Sequence, residues 1–406
     1  MAVGAIRLAI DGGEPVRTTL LPYAHQVIDE RDIEAVTSAL RSDWLTTGPR
    51  VGTFERALAE ATGARHAIAF SSGTAALHGA AAVAGLGPGD EAITTPMTFV
   101  ASANAVVYVG AEPRFADVAP GSLLIEPSAV AAAITERTKA IVPVDYAGQP
   151  ADYTALRAIA DAAPGGPLTI IADASHSLGA TFERRPVGTL ADLTVLSLHP
   201  AKIMTTGEGG AVLTDRDDLA AALRRFRNHG IETELAARRD WTYAMVELGY
   251  NYRLTDIAAA LGAAQLERLE EWLARRRRLA AAYLERLAGN PALDMPIIDP
   301  RADPAWHFMF VQLRLDRLRV DRAAVFHALR AEGIGVNVHY IPVHQHPFYR
   351  DRSPGLTFPV AEAAYERLLT LPLHAGMSDA DLDDVVAALD KVTAAYATDQ
   401  PTDRRP

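Results

Sequence analysis

One lysine is the residue of this sequence that points most directly to chemistry. Only three of the 39 basic residues are lysines, namely Lys139, Lys202 and Lys391. Lys202 lies in a loop after the strand-like segment LTVLSL, and its neighbours include the apolar residues Leu198, Pro200, Ala201, Ile203 and Met204. Because apolar surroundings disfavour the charged form of an amine, they lower its pKa and free it to form a Schiff base.

A solvated charge is the structural alternative for any single lysine in a loop. Lys139 lies among charged residues before a strand, and Lys391 lies on a C-terminal helix, so solvent exposure suits both of them better. Lys202 is therefore the candidate nucleophile of the chain.

Two further residues could work with Lys202 on a pyridine cofactor. Asp173 ends the apolar strand LTIIAD, 29 residues before Lys202, and His176 follows closely. A carboxylate against the ring nitrogen favours the pyridinium form, which makes the ring an electron sink. His176 could lie by the ring face or the phenolic oxygen. Alternatively, Asp173 caps the next turn and His176 is a core histidine with satisfied hydrogen bonds.

A candidate phosphate site lies at the start of a helix of small residues. The sequence Ser71, Ser72, Gly73 and Thr74 offers backbone N–H groups and hydroxyls where the helix dipole is positive. Ser197, five residues before Lys202, adds another hydroxyl. An ordinary helix cap fits the same motif, so the motif gains meaning only in combination with Lys202 and Asp173.

Charge and composition argue against several classes of function. The formal net charge of -11 repels nucleic acid and anionic membrane surfaces. The absence of cysteine excludes thiolate chemistry, and the histidines show no metal-ligand spacing, so no metal site is expected. No apolar run approaches the roughly 18 residues of a membrane span, and the N-terminus lacks the pattern of a signal peptide. We therefore expect a soluble cytoplasmic protein.

Strand-like and helical segments alternate through the first two thirds of the chain. This pattern predicts an α/β fold with a mostly parallel sheet, whose ligands lie beyond the carboxyl ends of the strands. After about residue 271 the pattern changes. We predict an N-terminal segment and large domain over 1–271, a smaller α+β domain over 272–396 and a frayed tail over 397–406. The four arginines at 275–278 are expected to point largely into solvent.

A set of ordered motifs resembles the DegT/DnrJ/EryC1/StrS family of sugar aminotransferases. The motifs are SSGTAAL, ITTPMTFVASANAV, DYAGQP, ADASHSLGA, SLHPAKIMTTGEGGAV, RNHGI, LGYNYRLTDIAAALGAAQL and VNVHYIP. The resemblance spans roughly residues 20–395. It implies a cofactor, pyridoxal 5'-phosphate (PLP), and the PLP fold type I (aspartate aminotransferase-like) architecture. It also implies a homodimer whose active sites lie at the subunit boundary.

The same resemblance assigns roles to residues of this sequence. By motif, Lys202 matches the Schiff-base lysine and Asp173 the partner of the pyridine nitrogen. The remaining cofactor contacts that it implies are Gly73, Thr74 and Ser197 at the phosphate, Phe99 stacked on the ring, His176 beside the ring hydroxyl, and Asn251 reaching the phosphate from the neighbouring chain. Substrate contacts are expected at Thr47, Gly48, Arg253, His339 and Tyr340.

The resemblance also implies a reaction. An amino group would pass from an amino acid, glutamate by analogy, to a keto group of a nucleotide-linked deoxysugar. Within the family the chain is most similar to enzymes that aminate C4 of a UDP-linked 4-keto-6-deoxy-N-acetylhexosamine on the route to pseudaminic acid. Family members that remove a sugar hydroxyl carry histidine at the position of Lys202, so dehydration is disfavoured.

Several alternatives stay open at this point. The sugar, the nucleotide, amination at C3 or C4, and the amino donor are undetermined, and an aminocyclitol is a further possible substrate. The segment from Gly230 to Trp241 departs from the family pattern and could alter substrate preference. A PLP-binding regulatory protein without turnover is the competitor from another class. A nicotinamide dehydrogenase is weaker, because SSGTAA replaces the glycine-rich G-x-G-x-x-G motif.

Overall fold

The computed structural model describes residues 6–232 and 240–398. Most of the departing segment Gly230–Trp241, and all but two residues of the tail expected at 397–406, lie outside the described residues.

A seven-stranded sheet forms the centre of the larger part of the chain. Its strands are β1 (His66–Phe70), β2 (Glu91–Thr94), β3 (Glu112–Phe115), β4 (Thr138–Val142), β5 (Thr169–Asp173), β8 (Leu193–Ser197) and β9 (Gly210–Thr214). The strand order is β1-β9-β8-β5-β4-β2-β3, and only the pairs that include β9 are antiparallel. The central strands are mostly buried and rich in apolar residues, as expected for a sheet covered on both faces. The predicted α/β fold with a mostly parallel sheet is confirmed.

Helices cover both faces of this sheet. They are α1 (Glu30–Leu40), α2 (Pro49–Thr62), α3 (Gly73–Val83), α4 (Ala101–Tyr108), α5 (Pro127–Ala133), α6 (Tyr153–Asp161), α7 (Asp217–Phe226) and α8 (Asp256–Leu266). Short strands β6 (Thr181–Phe182) and β7 (Arg185–Pro186) form a hairpin, to which β11 (Ala302–Asp303) adds a third strand. Because the parallel strands run alongside one another, the loops after β4, β5 and β8 meet at one edge of the sheet.

The C-terminal part combines a small antiparallel sheet with helices. Strands β10 (Leu293–Asp294), β12 (Met309–Leu313) and β13 (Leu368–Leu371) pair in that order. The helices here are α9 (Leu269–Leu287), α10 (Arg322–Ala331), α11 (Pro347–Arg352), α12 (Pro359–Arg367) and α13 (Asp379–Ala395).

The long helix α9 joins the two parts. Its first turns contribute Trp272 and Leu273 to the core beneath the large sheet, whereas Leu279 and Tyr283 belong to the C-terminal core. The expected boundary at 271/272 therefore falls inside one continuous helix. Leu8, from the N-terminal segment, also packs in the C-terminal core. The division into domains at these residues stays a prediction.

The four arginines of α9 do not all face solvent. Arg276 is one of the largest fully buried side chains, and its Nη1 donates to the carbonyl oxygens of Trp306, His307 and Leu373 at 2.9–3.1 Å. Burial lowers the pKa of Arg276 to about 10. The expectation that this run points largely into solvent is wrong for Arg276, because the guanidinium binds the carbonyl groups of two C-terminal segments.

No helix in the described part of the chain is both long and apolar enough to cross a membrane.

Candidate active site

The loop between β8 and β9 holds Lys202 beside the edge of the large sheet. The loop is closed by its own hydrogen bonds, from Lys202 N to His199 O at 2.8 Å and from Thr206 N to Leu198 O at 3.0 Å. Lys202 itself is half-buried, and the next residues, Ile203 and Met204, are buried. Burial lowers the pKa of the Lys202 amine to about 8, although the Asp173 carboxylate acts in the opposite direction. The predicted apolar setting of this lysine is present.

Asp173 ends β5 and is buried at the same edge of the sheet. Its Oδ2 accepts a hydrogen bond from Ser102 Oγ at 2.6 Å, and its Oδ1 accepts one from Ser175 N at 3.2 Å. Ser102 in turn contacts Thr98 Oγ1 at 2.8 Å. This carboxylate is therefore fixed in orientation, and its charge acts on Lys202 and on Tyr340.

Three buried histidines and a tyrosine form another wall near Lys202. His176 Nε2 lies 3.1 Å from Tyr340 Oη, and the rings of His176 and His307 are 4.4 Å apart. His339 Nδ1 bonds to Thr370 Oγ1 at 2.9 Å. Burial, assisted by the nearby charge of Lys202, holds the pKa of His176 and His307 well below the ordinary value and lowers that of His339 to about 3. These rings are neutral at physiological pH.

His307 was not predicted from the sequence. It precedes β12 in the segment WHFMF, where a histidine beside a buried strand could have drawn attention. Its ring is buried, and its Nδ1 has no hydrogen-bond partner among the described residues. The same holds for Nδ1 of His176.

The predicted phosphate residues lie together where α3 begins. Ser72 caps the helix by accepting from Ala75 N at 3.1 Å. A Cβ atom on Gly73 would lie 2.9 Å from Cβ of Ser197, and one on Gly210 would lie 2.6 Å from Gly73 N. The close approach of these backbones requires glycine. It places the Ser197 hydroxyl beside the first turn of α3, whose N–H groups at Gly73 and Thr74 have no acceptor within the helix.

The predicted substrate residues fall into two groups in this chain. Thr47, Gly48 and Arg253 line one cleft of about 670 Å³. His339 and Tyr340 belong to the histidine wall instead, where Tyr340 also faces Phe99, with ring centroids 6.1 Å apart.

Hydrogen bonds connect the chain segments that line this cleft. Arg253 Nη1 donates to Asn228 Oδ1 at 2.8 Å, and Gly48 N donates to Asp256 Oδ2 at 2.7 Å. Thr47 adopts a left-handed backbone conformation with φ of 55°, which is unusual for a residue that is not glycine. Asn251 is exposed and pairs with Asn228, so the chain places Asn251 with the cleft and its arginine.

Together these residues fit a phosphorylated pyridine aldehyde. The half-buried amine of Lys202 can bind the aldehyde, the buried Asp173 can face the ring nitrogen, and Phe99, 58% exposed, offers a free aromatic face. The glycine-bounded first turn of α3 offers N–H groups to a phosphate. Among the described residues, no group of acidic or histidine side chains has the arrangement of a metal site.

Comparisons with known proteins agree with this arrangement. The profile of the DegT/DnrJ/EryC1/StrS aminotransferase family matches residues 26–390. The spore coat polysaccharide biosynthesis protein SpsC of Bacillus subtilis (strain 168) is 39% identical over 380 residues, which cover 92% of this chain and 97% of SpsC.

Two solved structures share the fold over nearly the whole chain. The PLP form of the putative sugar aminotransferase Spr1654 from Streptococcus pneumoniae is 30% identical with a TM-score of 0.87, and the match covers 93% of this chain and 100% of that one. Helicobacter pylori PseC, an aminotransferase involved in the biosynthesis of pseudoaminic acid, is 29% identical with a TM-score of 0.87 and the same coverage.

The fold and these matches define a PLP-dependent aminotransferase of fold type I. The chain belongs to the DegT/DnrJ/EryC1/StrS aminotransferase family.

Lys202 in the cofactor-free protein should react as an amine with a pKa of about 8. Because burial outweighs the effect of Asp173, reductive methylation of Lys202 should reach half its maximal rate near pH 8. An Nα-acetyl-lysine standard in the same tube, whose ε-amine is free, should do so near the ordinary lysine pKa of about 10.4. Peptide mass spectrometry can follow both groups. Asp173→Asn should move the Lys202 midpoint to lower pH, whereas a profile that coincides with the standard would contradict the apolar site.

Proposed function

We propose that this aminotransferase transfers an amino group from an amino acid, glutamate by analogy, to the keto group of a nucleotide-linked deoxysugar. We further propose that the acceptor is C4 of a UDP- or dTDP-linked 4-keto-6-deoxyhexose. The observation that carries the catalytic part is the half-buried Lys202 amine near the buried Asp173 carboxylate. The sugar part is supported by the similarity to Spr1654 and PseC.

Lys202 would serve as anchor and as general acid and base. When bound, PLP supplies an electron sink that stabilises negative charge at the carbon losing its proton. In the donor half of the cycle, the neutral Nζ of Lys202 would take the proton from Cα of the donor and hand it to the bound cofactor. In the acceptor half, Nζ would take a proton back and deliver it to the former keto carbon of the sugar. A pKa of about 8 suits this double role, because both protonation states are accessible near neutral pH.

The rest of the proposed cofactor site holds and shields the ring. We propose that Gly73, Thr74 and Ser197 bind the phosphate, that Phe99 covers the ring, and that His176 lies beside its hydroxyl. His176 is neutral and touches Tyr340, so the ring would contact hydrogen-bonding groups without additional positive charge.

The charge of Asp173 should be needed for catalysis. Asp173→Asn keeps the shape of the side chain and removes the charged hydrogen bond to the ring nitrogen, which is worth about 1.5–3 kcal/mol. We expect kcat of the donor half-reaction to fall by roughly 10- to 150-fold. Ser102→Ala is the matched control, because it removes one hydrogen bond to Asp173 but keeps the charge, and it should have a smaller effect. Normal turnover and cofactor absorption in Asp173→Asn would rule out this role.

A second copy of the chain is the proposed source of Asn251 and Arg253 in each site. Several large apolar side chains lie exposed just before these residues: Trp241 at 87%, Tyr243 at 59%, Met245 at 61%, Val246 at 54% and Leu248 at 72%. Exposed apolar side chains concentrated in one short segment often mark a protein interface. A homodimer that covers these side chains would bring Asn251 and Arg253 toward the cofactor site of the partner.

Mixing two inactive variants should restore activity if the site is shared. Lys202→Ala should abolish turnover while leaving a folded dimer, and Asn251→Ala should weaken phosphate binding so that this variant is inactive at limiting PLP, where the assay is run. After co-refolding in equal amounts, half of the dimers are hybrids, and each hybrid carries one intact site, so about a quarter of wild-type activity should return. Lys139→Ala, at an exposed lysine, should remain fully active. If mixing yields no more activity than the separate variants, Asn251 acts within its own chain or not at all.

We propose that the cleft at Thr47, Gly48 and Arg253 is the binding site of the nucleotide diphosphate. Three arginines line it, Arg56, Arg227 and Arg253, together with Glu55, to which Arg227 donates. Guanidinium groups bind phosphate through paired N–H donors. The volume of about 670 Å³ also suits a ligand larger than a simple amino acid.

A substrate screen should distinguish the sugar hypotheses. With glutamate as donor, UDP- and dTDP-linked 4-keto-6-deoxyhexoses should yield 2-oxoglutarate, and the 3-keto isomers should not. Arg253→Ala should raise KM for the nucleotide sugar on the order of tenfold or more, because a charged hydrogen bond is lost. The donor half-reaction should change little. Turnover of only a 3-keto sugar or a keto-cyclitol would replace the proposed acceptor.

A PLP-binding regulator without turnover, the competitor from another class, does not agree with the aminotransferase family to which the chain belongs. Location in the cytoplasm and the lack of nucleic-acid or membrane partners stay predictions from charge and composition.

A further inference from the structure

The loop after β4, residues 145–149, contacts the walls of the active site through its backbone. Asp145 N donates to Asp173 O at 3.1 Å, so the loop begins against the end of β5. Its other end pairs with the segment before β12, because His307 N donates to Ala147 O and Ala305 N donates to Gly148 O, both at 2.9 Å. The loop thus links the residue proposed to face the ring nitrogen with the histidine wall.

The loop packs tightly between the end of β5 and the segment before β12. Gly148 has a φ of 97°, and a Cβ atom there would lie 2.7 Å from Trp306 N and 2.8 Å from His176 O. Tyr146, fully buried, donates its hydroxyl to the carbonyl oxygen of His339. Any displacement of the loop would therefore move His176, His307 or His339.

The carboxyl group of Asp145 holds this loop in place and is itself completely buried. Oδ1 accepts from Ala151 N at 3.0 Å and from Tyr153 Oη at 2.8 Å, at the start of α6. Oδ2 accepts from Ser177 Oγ at 2.5 Å. Burial and the negative charge of Asp173 raise the pKa of Asp145, to about 7, whereas the three hydrogen bonds favour the ionised form.

Ser177 connects this carboxyl group to the turn that carries His176. The turn runs from Asp173, the last residue of β5, and Ser177 N donates to Ala174 O at 3.0 Å. Asp145 therefore reaches the site by two routes. One is the backbone contact with Asp173, and the other is the hydroxyl next to His176.

We propose that Asp145 is a positioning residue of the aminotransferase. It touches neither substrate nor cofactor in this scheme. Through Ser177 and the loop 145–149 it fixes Asp173 and His176 relative to His307 and His339, the other histidines of that wall. The proposal requires only the aminotransferase activity of the family and is independent of the sugar acceptor.

Two hydroxyl deletions test this role without removing the buried carboxyl group, whose own loss could prevent folding. Ser177→Ala and Tyr153→Phe each remove one hydrogen bond to Asp145, from a buried hydroxyl in both cases. Ser177 lies beside His176, whereas Tyr153 lies on α6. Both variants should lower the melting temperature of the cofactor-free protein to a similar extent.

Only Ser177→Ala should disturb the site. We expect its dissociation constant for PLP, measured by equilibrium dialysis, to rise about tenfold, with a changed visible circular dichroism band of the bound cofactor and a lower kcat. Tyr153→Phe should keep wild-type values of all three. If the two variants lose PLP affinity equally, or if neither loses any, Asp145 has a purely structural role and the proposal fails. An unchanged dichroism band in Ser177→Ala would contradict it as well.

Discussion

A lysine amine whose pKa is lowered toward neutral pH is the constraint on which this site depends. Burial lowers the pKa of Lys202, and the Asp173 carboxylate limits that effect. The neighbouring rings cannot supply a further positive charge, because burial also holds His176 and His307 in the neutral form. The same burial thus lowers the pKa of three basic groups, Lys202, His176 and His307. Asp173, held by Ser102 and Ser175, supplies the negative charge that a pyridinium ring needs.

The sheet makes this electrostatic arrangement rigid. Lys202 lies in the connection between two hydrogen-bonded antiparallel strands, so Ser197 and Gly210 at the two ends of that connection are partners in the ladder. Gly73 touches both of them, which fixes the first turn of α3 against the same point. Residues on the ends of strands and helices keep their positions better than residues on free loops. A larger side chain at Gly73 or Gly210 would push the helix away from the lysine connection.

Those parts of the site that depend on local sequence were predictable. Lys202 could be singled out because lysine is so rare here and its neighbours are apolar, and Asp173 because it follows a buried strand. The alternation of strands and helices likewise predicted the mostly parallel sheet. His307 and Asp145 also lie next to apolar strand segments, but that position alone did not show what they do. Their importance comes from contacts between segments far apart in the chain, which residue spacing does not encode.

The prediction that Arg276 faces solvent failed for a different reason. The buried positions of α9 include Leu269, Leu273, Ala280 and Leu287, and Arg276 lies on the same stripe at helical spacing. Periodicity therefore indicated burial at this position, but the run of four arginines suggested a uniform solvated face. The helix resolves the conflict by turning one guanidinium toward three carbonyl groups, since a buried charge requires such partners.

The predicted substrate residues lie in two separate groups, one in the cleft and one at the histidine wall, and this separation agrees with a site shared between two chains. Arg253 and Asn251 follow directly after the exposed apolar side chains at 241–248, whereas Tyr340 and Phe99 face the lysine side of the chain. In the proposed dimer, hydrophobic contact of this surface with the partner would fix the backbone that presents Asn251 and Arg253. Association and assembly of the cofactor site would then be one event. A monomer would keep the amine, the carboxylate and the histidine wall but would lack the groups expected to hold the phosphate and the nucleotide from the other side.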